Sequence, residues 1–436
     1  MNSTDAIYSV KELGKGKVLM LGLQHMFAMF GATVLVPILT GLDISTTLLF
    51  AGLGTLLFHL ITKGKVPAFL GSSFAFLGGY GAIAPLLADG SSNIEMLPYA
   101  CFGVACAGMV YVVFAGLIKV FSAQKVMSFF PPIVTGPIII AIGLTLSKSA
   151  IDSCTDNWLL AIIAIAVVII CNIYGKGMIK IIPILLGVMA SYAAGVCMGE
   201  VDFTAVKEAA WFGFPIRMET TVFALFGENF NGETLFASIL TIMPIALATI
   251  VEHVGDISAI SSTTGINYIK DPGLHRTMLG DGLATVLSSV FGGPANTTYG
   301  ENTGVLNLSK VYDPAVVRLA AVFAILFSFC PKVASVIQVM PTATVGGISL
   351  ILYGMISAVG VRNVVENQVD FTKSRNVIIA ALILVLAIGV NYSNAGAIVF
   401  HIGELTIRLS GLAAGALAGI GLNAVLPDKD FHLEVM

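Results

Sequence analysis

One polar run interrupts an otherwise apolar chain. It reads Gly292-Gly293-Pro294-Ala295-Asn296-Thr297-Thr298-Tyr299-Gly300-Glu301-Asn302-Thr303-Gly304. Glycine and proline at its start cannot sustain a helix, and a carboxylate follows them within a segment that apolar stretches flank. Irregular backbone is tolerated at membrane depth only where it is buried in protein or lines a watery cavity. We therefore expect this run to hold a functional site that includes Glu301.

The composition indicates a membrane protein. Of the 436 residues, 57% are hydrophobic and 11% are charged, and the mean hydropathy is +0.94. Apolar runs along the whole length predict a polytopic, all-α protein surrounded by membrane lipid. The net charge of -3 and the lack of a long basic run argue against nucleic acid as a partner. The six cysteines are scattered without a C-x-x-C pair, so we expect no metal site, no disulfide framework and no cofactor.

The apolar runs predict fourteen transmembrane spans. They lie at residues 18–36, 44–62, 68–87, 98–118, 133–149, 157–175, 179–198, 236–257, 274–291, 297–309, 315–331, 343–361, 376–391 and 409–426. An even number of spans puts both termini on one side of the membrane. Most Lys and Arg residues fall on that side, which predicts that both termini are cytoplasmic. The acidic loop at 199–235 is then extracytoplasmic.

Seven spans on each side of this loop predict two repeats of opposite orientation, a pattern typical of transporters. Three internal matches support the division. They pair Leu23-Gln24-His25-Met26 with Val251-Glu252-His253-Val254, Gly71-Ser72-Ser73-Phe74 with Asn296-Thr297-Thr298-Tyr299, and Pro132-Ile133-Val134-Thr135 with Pro341-Thr342-Ala343-Thr344. Spans three and ten are both broken by Gly and Pro. Their hydroxyl-rich segments favour short extended pieces that could pair with each other.

Carboxylates within the spans predict proton coupling. Glu252 and Asp256 lie one turn apart in the eighth span, and Glu301 follows the break in the tenth. The eighth and tenth spans contain no Lys or Arg, so these groups could bind and release protons, as a proton-coupled carrier requires. The alternative is a structural role, with the carboxylates paired to His253 or capping a broken helix. Asp281 in the ninth span is a secondary candidate for a proton site.

The same carboxylates indicate a class of ligand. A flat heterocycle with alternating N–H and C=O groups could donate to two carboxylates and accept from backbone N–H groups or a protonated acid. Phe74 and Tyr299, at matching positions of the two repeats, could cover the ring, although single aromatic residues more often pack in the core or against lipid. Gln24 and His25 are interpreted as an interhelical hydrogen-bond pair.

These residues carry a family resemblance. The run from Gly292 to Gly304, the Gln24-His25 pair and the segment Glu252-His253-Val254-Gly255 resemble the nucleobase-ascorbate transporter family, and most of all its bacterial uracil permeases. The similarity extends over about residues 15–427. The acid–Asn form of the Glu301-Asn302 motif is similar to the uracil branch. Asp256 stands where the uracil permeases have His, and it resembles the purine-transporting branch.

The resemblance implies a uracil:proton symporter that works by alternating access in the bacterial cytoplasmic membrane. It implies that Glu252 and Glu301 hold the base, with Ala32, Phe74, Tyr299, Gly300 and Tyr353 around it. It also implies that Glu252, Asp256 and Glu301 carry the proton coupling. The supporting residues would be Gln24, His25, His253 and Asn302.

The implied architecture divides the chain into a core domain and a gate domain, often assembled as a homodimer. The core would comprise residues 18–118, with spans one to four, and residues 236–331, with spans eight to eleven. The gate would comprise residues 119–198, with spans five to seven, and residues 332–426, with spans twelve to fourteen. Residues 199–235 form the extracytoplasmic loop, and residues 1–17 and 427–436 form the cytoplasmic termini.

Three alternatives stay open. A xanthine or urate symporter of the same family differs only in the base. An anion carrier on the same architecture would use half-helix N-termini, but bare carboxylates at the site oppose an anion. A membrane-embedded enzyme is the third, and it is disfavoured because no nucleophile–base set and no metal-ligand cluster are recognisable.

Overall fold

The computed structural model describes residues 6–121, 125–126, 128–176, 178–227, 230–402 and 405–427. The predicted termini at 1–17 and 427–436 therefore lie partly outside the described residues. Within the described residues the chain is mostly helical, with two small antiparallel sheets. The strands are β1 (Leu70–Ser72), β2 (Asn296–Thr298), β3 (Ala397–Ile402) and β4 (Leu405–Ser410).

The helices fall into two sets on either side of the longest loop. The first set is α1 (Lys15–Thr40), α2 (Ile44–Ile61), α3 (Leu77–Ile83), α4 (Leu97–Phe121), α5 (Pro132–Cys154), α6 (Trp158–Tyr174), α7 (Met178–Ile181), α8 (Pro183–Met198) and α9 (Thr204–Glu208). The second set is α10 (Gly232–Ile242), α11 (Ala246–Thr264), α12 (Leu274–Val290), α13 (Glu301–Ser309), α14 (Pro314–Ser328), α15 (Pro331–Gln338), α16 (Thr342–Glu366), α17 (Ser374–Asn391) and α18 (Gly411–Val425).

Seven of the described helical segments are long and apolar enough to cross a membrane. They are α1, α2, α4, α5, the continuous segment of α10 and α11, α16 and α17. Helices α14 and α15 qualify only as a pair, and they are bent by 86°. Shorter apolar helices include α6, α8 and α18. A multi-pass helical membrane protein is therefore confirmed, while the number of fourteen spans stays a prediction.

Strands interrupt two of the predicted spans, as the Gly and Pro residues there suggest. Gly292 has a φ of +81°, which glycine adopts without strain, and Pro294 has no backbone donor, so the chain cannot remain helical. Strands β1 and β2 pair antiparallel, with Leu70 opposite Thr298, Gly71 opposite Thr297 and Ser72 opposite Asn296. This pairing satisfies backbone groups that would otherwise be buried without partners. The predicted pairing of the two extended segments is confirmed.

The register of β1 and β2 is reciprocal. In the internal match, Asn296 is the counterpart of Gly71, and Thr297 is the counterpart of Ser72. In the sheet the partners are crossed. Gly71 pairs with Thr297, the counterpart of Ser72, and Ser72 pairs with Asn296, the counterpart of Gly71. Two repeats of opposite orientation, which stay a prediction, would pair in this way, because a two-fold axis makes every contact occur twice with the partners interchanged.

Two elements depart from the predicted spans. A hairpin of β3 and β4 occupies the segment between α17 and α18, where the sequence predicted a loop. Several β-branched residues favour the extended form there, among them Ile398, Val399 and Ile407. Helix α15 is the second departure, since the predicted spans left residues 332–342 as a loop. Pro331 begins this helix after a sharp bend, because proline is favoured in the first turn of a helix but cannot continue one.

Small residues let the long helices pack closely. Helices α5 and α16 lie against each other. A Cβ on Gly143 would lie 2.2 Å from the Tyr353 carbonyl oxygen, and a Cβ on Gly360 would lie 2.6 Å from the Ile140 backbone nitrogen. Glycine at both positions therefore allows the two backbones to approach, as small residues commonly do between membrane helices.

The molecule has two distinct faces. On the terminal face, Ile7 pairs with Val311, and Lys65 Nζ donates to Asp271 Oδ2 at 2.5 Å. This hydrogen bond lowers the pKa of the exposed Asp271 carboxyl below its ordinary value. Helix α1 starts near this face and ends at Gly41 on the opposite one. We call the opposite face, which carries the 199–231 segment, the loop face.

Candidate functional site

The Tyr299 side chain fastens the two strands where they cross. A Cβ on Gly71 would lie 2.5 Å from the Tyr299 ring, so the ring packs directly on the glycine backbone. The Tyr299 hydroxyl donates to the Ser72 carbonyl at 2.9 Å, and Ser72 Oγ donates to the Thr33 carbonyl of α1 at 2.8 Å. These contacts join α1, β1 and β2 into one buried unit.

The Asp256 carboxylate faces the backbone that precedes α13. A Cβ on Gly300 would lie 2.8 Å from Asp256 Oδ1, so glycine is required for this close approach. Asp256 is buried, and Glu252, one turn earlier on α11, is half-buried. Helix α13 begins at Glu301, whose side chain lies outside the described part of the structure. The carboxylates of α11 thus lie close to a helix N-terminus, whose partial positive charge favours them.

A buried hydrogen-bond network joins α11, α12 and β2. His253 Nδ1 lies 2.8 Å from Asp281 Oδ2, and His253 Nε2 lies 3.0 Å from Thr277 Oγ1. Asp281 also accepts from the Thr298 backbone N–H at 2.9 Å and from the Thr298 hydroxyl at 2.8 Å. The His253 and Asp281 side chains are both fully buried. The network holds β2 against α12. Within it, His253 contacts the Asp281 carboxylate.

A second buried contact joins α1 to α13. Asn302 Nδ2 donates to the Pro67 carbonyl at 2.6 Å, which ties the start of α13 to the segment before β1. His25 is fully buried, and its imidazole lies beside the Asn302 side chain. Gln24 is also buried. The interhelical hydrogen bond that the sequence predicted for the Gln24-His25 pair stays a prediction, since neither ring nitrogen of His25 has a hydrogen-bond partner among the described residues.

A cavity of about 1460 Å³ opens on the loop face. Its walls come from the ends of α1 and α5, from α3, and from the starts of α16 and α18. Phe74 lines it, and the Phe74 ring meets the Tyr353 ring edge-on with 5.8 Å between centroids. Among the predicted site residues with described side chains, Phe74 alone lines the cavity. Ala32, Tyr299 and Tyr353 are buried behind its wall.

The structure thus brings the predicted residues together in two groups. Asp256 meets Gly300 with Glu252 one turn away, and Phe74 meets Tyr353. The described side chains include no cluster of three His, Cys, Asp or Glu residues that could hold a metal ion. The arrangement suits the binding of a polar, planar molecule between hydrogen-bonding groups and aromatic rings.

Sequence reasoning gave no role to two threonines of the buried network. Thr277 precedes Asp281 by one turn on α12, and this spacing is a signal that could have identified it. Thr298 was recognised only as a residue of an extended segment. Its hydrogen bonds to Asp281 depend on the packing of β2 against α12, which no local pattern reveals.

Residues 16–396 match the Xan_ur_permease family model, which is described as a permease family. The chain belongs to this permease family. It is 40% identical to the uracil permease of Bacillus caldolyticus, over 95% of this chain and 93% of the relative. It is 39% identical to the probable uracil permease of Haemophilus influenzae, over 95% of each chain. The uracil permease of Bacillus subtilis is 37% identical, over 93% of this chain and 91% of the relative.

This membership confirms the resemblance that the run from Gly292 to Gly304 predicted. It also makes the chain a transporter and not an enzyme. Among solved structures, the transmembrane domain of the cyanobacterial bicarbonate transporter BicA has a TM-score of 0.60 at 16% identity, with 83% of this chain and 98% of that chain covered. SLC26A9 has a TM-score of 0.63 at 13% identity, with 96% and 66% covered. At these identities the likeness establishes the fold alone.

Proposed function

We propose that the chain is a uracil:proton symporter that imports uracil across the bacterial cytoplasmic membrane by alternating access. The observation that carries this proposal is the identity of 37 to 40% to proteins named uracil permease, over more than nine tenths of the chain. The site supports it independently, because carboxylates, a helix N-terminus and two aromatic rings surround a place that a small, planar, hydrogen-bonding molecule fits.

In this proposal Glu252 and Glu301 hold the base. The two residues belong to neighbouring helices, since Asp256, one turn after Glu252, contacts Gly300 immediately before Glu301. The two N–H groups of uracil can donate to carboxylates. Its carbonyl groups can accept from backbone N–H groups at the start of α13. Each donor of the base then meets an acceptor of the protein, and each acceptor of the base meets a donor.

Aromatic and small residues complete the proposed pocket. Phe74 and Tyr353 contact each other at the cavity wall and would close over one face of the base. Gly300 leaves room beside the Asp256 carboxylate. Ala32 and Tyr299 are buried, and Tyr299 fixes β1 against β2, so these two residues would shape the pocket from behind.

Glu252, Asp256 and Glu301 are proposed to carry the coupled protons. Neither α11 nor α13 contains a Lys or Arg residue. An ionised carboxylate at membrane depth is costly, and a carboxyl group can bind and release a proton, which is what proton coupling requires. His253 supports them by holding Asp281, and His25, Asn302 and Gln24 support the junction of α1 with α13.

Fourteen spans in two inverted seven-span repeats would provide the moving parts. The reciprocal register of β1 and β2 supports this arrangement. The core would be residues 18–118 and 236–331, and the gate 119–198 and 332–426, so that the Phe74–Tyr353 contact lies at their boundary. The bias of Lys and Arg supports cytoplasmic termini and an extracytoplasmic 199–235 loop. A homodimer is part of the same proposal.

The test is uptake of labelled uracil into proteoliposomes with and without an inward proton gradient. We expect gradient-driven uptake by the wild type, its loss in Glu301→Gln, and its retention in Asp256→His, because His at this position still binds a proton. Gradient-independent uptake by the wild type would contradict proton coupling.

Competition identifies the base. Excess unlabelled uracil should abolish the uptake of label, and excess xanthine should leave it intact. If the wild type takes up xanthine or urate and not uracil, Asp256 marks a purine carrier and the proposed substrate is wrong.

A further inference from the structure

Three aromatic side chains of the 199–231 loop are strongly exposed and lie close together in sequence. Trp211, Phe212 and Phe214 are 76%, 78% and 75% exposed. Aromatic residues that stand free in water are costly, because their apolar surface gains nothing from that environment. A contiguous exposed apolar patch commonly marks an interaction surface. Phe214 lines the cavity on the loop face, whereas the proposed transport function assigns Trp211 and Phe212 no role.

The loop that carries these residues is fastened to the bend between α14 and α15. The Gly213 N–H donates to the Phe329 carbonyl at 3.0 Å, and the Phe212 ring stacks on the Phe329 ring with 5.8 Å between centroids and 12° between planes. A Cβ on Gly213 would lie 2.6 Å from the Pro331 side chain, so the loop backbone packs tightly on the bend. The exposed rings are therefore held in place.

Lys332 strengthens this attachment from the first turn of α15. Its backbone N–H donates to the Ala210 carbonyl at 3.1 Å, and its Nζ donates to the Val206 carbonyl at 2.9 Å. The ammonium group also lies 5.1 Å from the centroid of the Trp211 ring, within the range of a cation–π interaction. One lysine thus holds both the backbone of the loop and the orientation of the indole.

The position of the bend indicates what covers the aromatic residues. Helix α14 is apolar, and Val322 and Leu326 on it are 40% and 62% exposed, as expected of a side that faces lipid. The helix ends at Ser328, and the chain then turns by 86° into α15. The patch therefore continues the lipid-facing side of α14 at the depth where the membrane helix ends. Trp and other amphipathic aromatic residues concentrate at this boundary.

We propose that Trp211 and Phe212 insert into the boundary between headgroups and acyl chains of the leaflet on the loop face, and so anchor this loop to the membrane. The occupant of the patch is phospholipid. A second copy of the chain or a soluble protein would also bury the rings, but neither accounts for the continuity of the patch with the lipid-facing side of α14.

The sequence provides its own reporter, because Trp158 and Trp211 are its two tryptophans. In the full-length Trp158→Phe variant, Trp211 is the only source of tryptophan emission. The variant is reconstituted into phosphatidylcholine vesicles that contain lipids brominated either close to the headgroup or close to the methyl end of the acyl chain. We expect blue-shifted emission that the shallow bromine largely quenches and the deep bromine quenches much less.

The Trp211→Phe variant is the matched control. It leaves Trp158, which is 45% exposed at the start of the apolar helix α6 and should report the same boundary. Retained uracil uptake by Trp158→Phe would establish that the reporter protein is folded.

Two results would overturn the proposal. The first is water-like Trp211 emission that acrylamide quenches and bromolipids do not. The second is emission that shifts with the protein-to-lipid ratio and stays insensitive to bromine, which would identify a second copy as the occupant.

Discussion

A buried carboxylate can be engaged entirely by hydrogen bonds within the protein framework, and Asp281 is the example here. Its two oxygens receive the Thr298 backbone N–H and hydroxyl and contact His253 Nδ1. A charge that is compensated in this way can stay buried as part of the framework. Asp256, by contrast, lies against the Gly300 backbone at the proposed site. The sequence identified both residues and gave Asp281 second place, but it could not predict their partners, because these come from elements distant in the chain.

We predict that Asp281→Asn destabilises the protein strongly. The substitution removes a charge that His253 and Thr298 contact and replaces one acceptor with a donor, and a buried hydrogen-bonding group left without a partner costs about 1–3 kcal/mol. The thermal midpoint of unfolding in detergent should fall markedly, and uracil uptake should fall with it.

The control for this prediction is Asp152→Asn, which breaks an exposed pair with Lys148 on the loop face. Exposed pairs contribute less than about 1 kcal/mol, so its midpoint should stay close to that of the wild type. Equal midpoints for the two variants would contradict a structural role for the Asp281 network.

At the scale of elements, the sequence predicted breaks in helices better than it predicted what replaces them. Gly292 and Pro294 made a strand at Asn296–Thr298 foreseeable, because they exclude a helix while the following hydroxyl residues favour an extended backbone. The hairpin of β3 and β4 lies between two predicted spans, and the sequence predicted this connecting segment as a loop. Helix α15 was missed because it is amphipathic and short, so an apolar window does not detect it.

Gly71→Ala should separate the two strands at their crossing. The new methyl group would lie 2.5 Å from the Tyr299 ring, so the ring must move away from β1 and its hydroxyl must release the Ser72 carbonyl. Overpacking of this kind costs about 1–3 kcal/mol. We expect a lower thermal midpoint and a loss of uracil uptake.

Gly116→Ala on α4 provides the comparison, since a methyl group there meets no atom within 4 Å. Alanine is the better helix former, so this variant should be at least as stable as the wild type. If Gly71→Ala behaves like Gly116→Ala, the Tyr299 ring does not depend on the glycine.

At the scale of the whole molecule, the cavity on the loop face defines one accessible state. It reaches Phe74, while Asp256, Gly300 and Tyr353 lie behind its wall. Composition and periodicity predicted the membrane class and the broken spans, because both follow from local patterns. They could not predict which face is open, since that depends on how two groups of helices meet.

Cysteine labelling should detect this openness. Gly78 lines the cavity and Gly304 on α13 does not, and a side chain at either position meets no atom within 4 Å, so both accept cysteine without strain. In whole cells, a membrane-impermeant thiol reagent should label Gly78→Cys, and excess uracil should reduce the labelling. Gly304→Cys should react only after permeabilisation.

Labelling of the wild type gives the background from the native cysteines, of which Cys197 is exposed. Labelling of Gly304→Cys and not of Gly78→Cys in intact cells would mean that the loop face points into the cell.

The pairing of β1 with β2 also determines when the protein can complete its fold during synthesis. Strand β1 leaves the ribosome with its backbone groups unpaired, and its partner follows only after residues 73–295 have been synthesised. Contacts so distant in sequence form slowly, and the membrane interior offers no substitute hydrogen bonds in the meantime. The first half of the chain is therefore an unfinished intermediate during its own biogenesis. A translational stall before β2 leaves a product that quality control must remove.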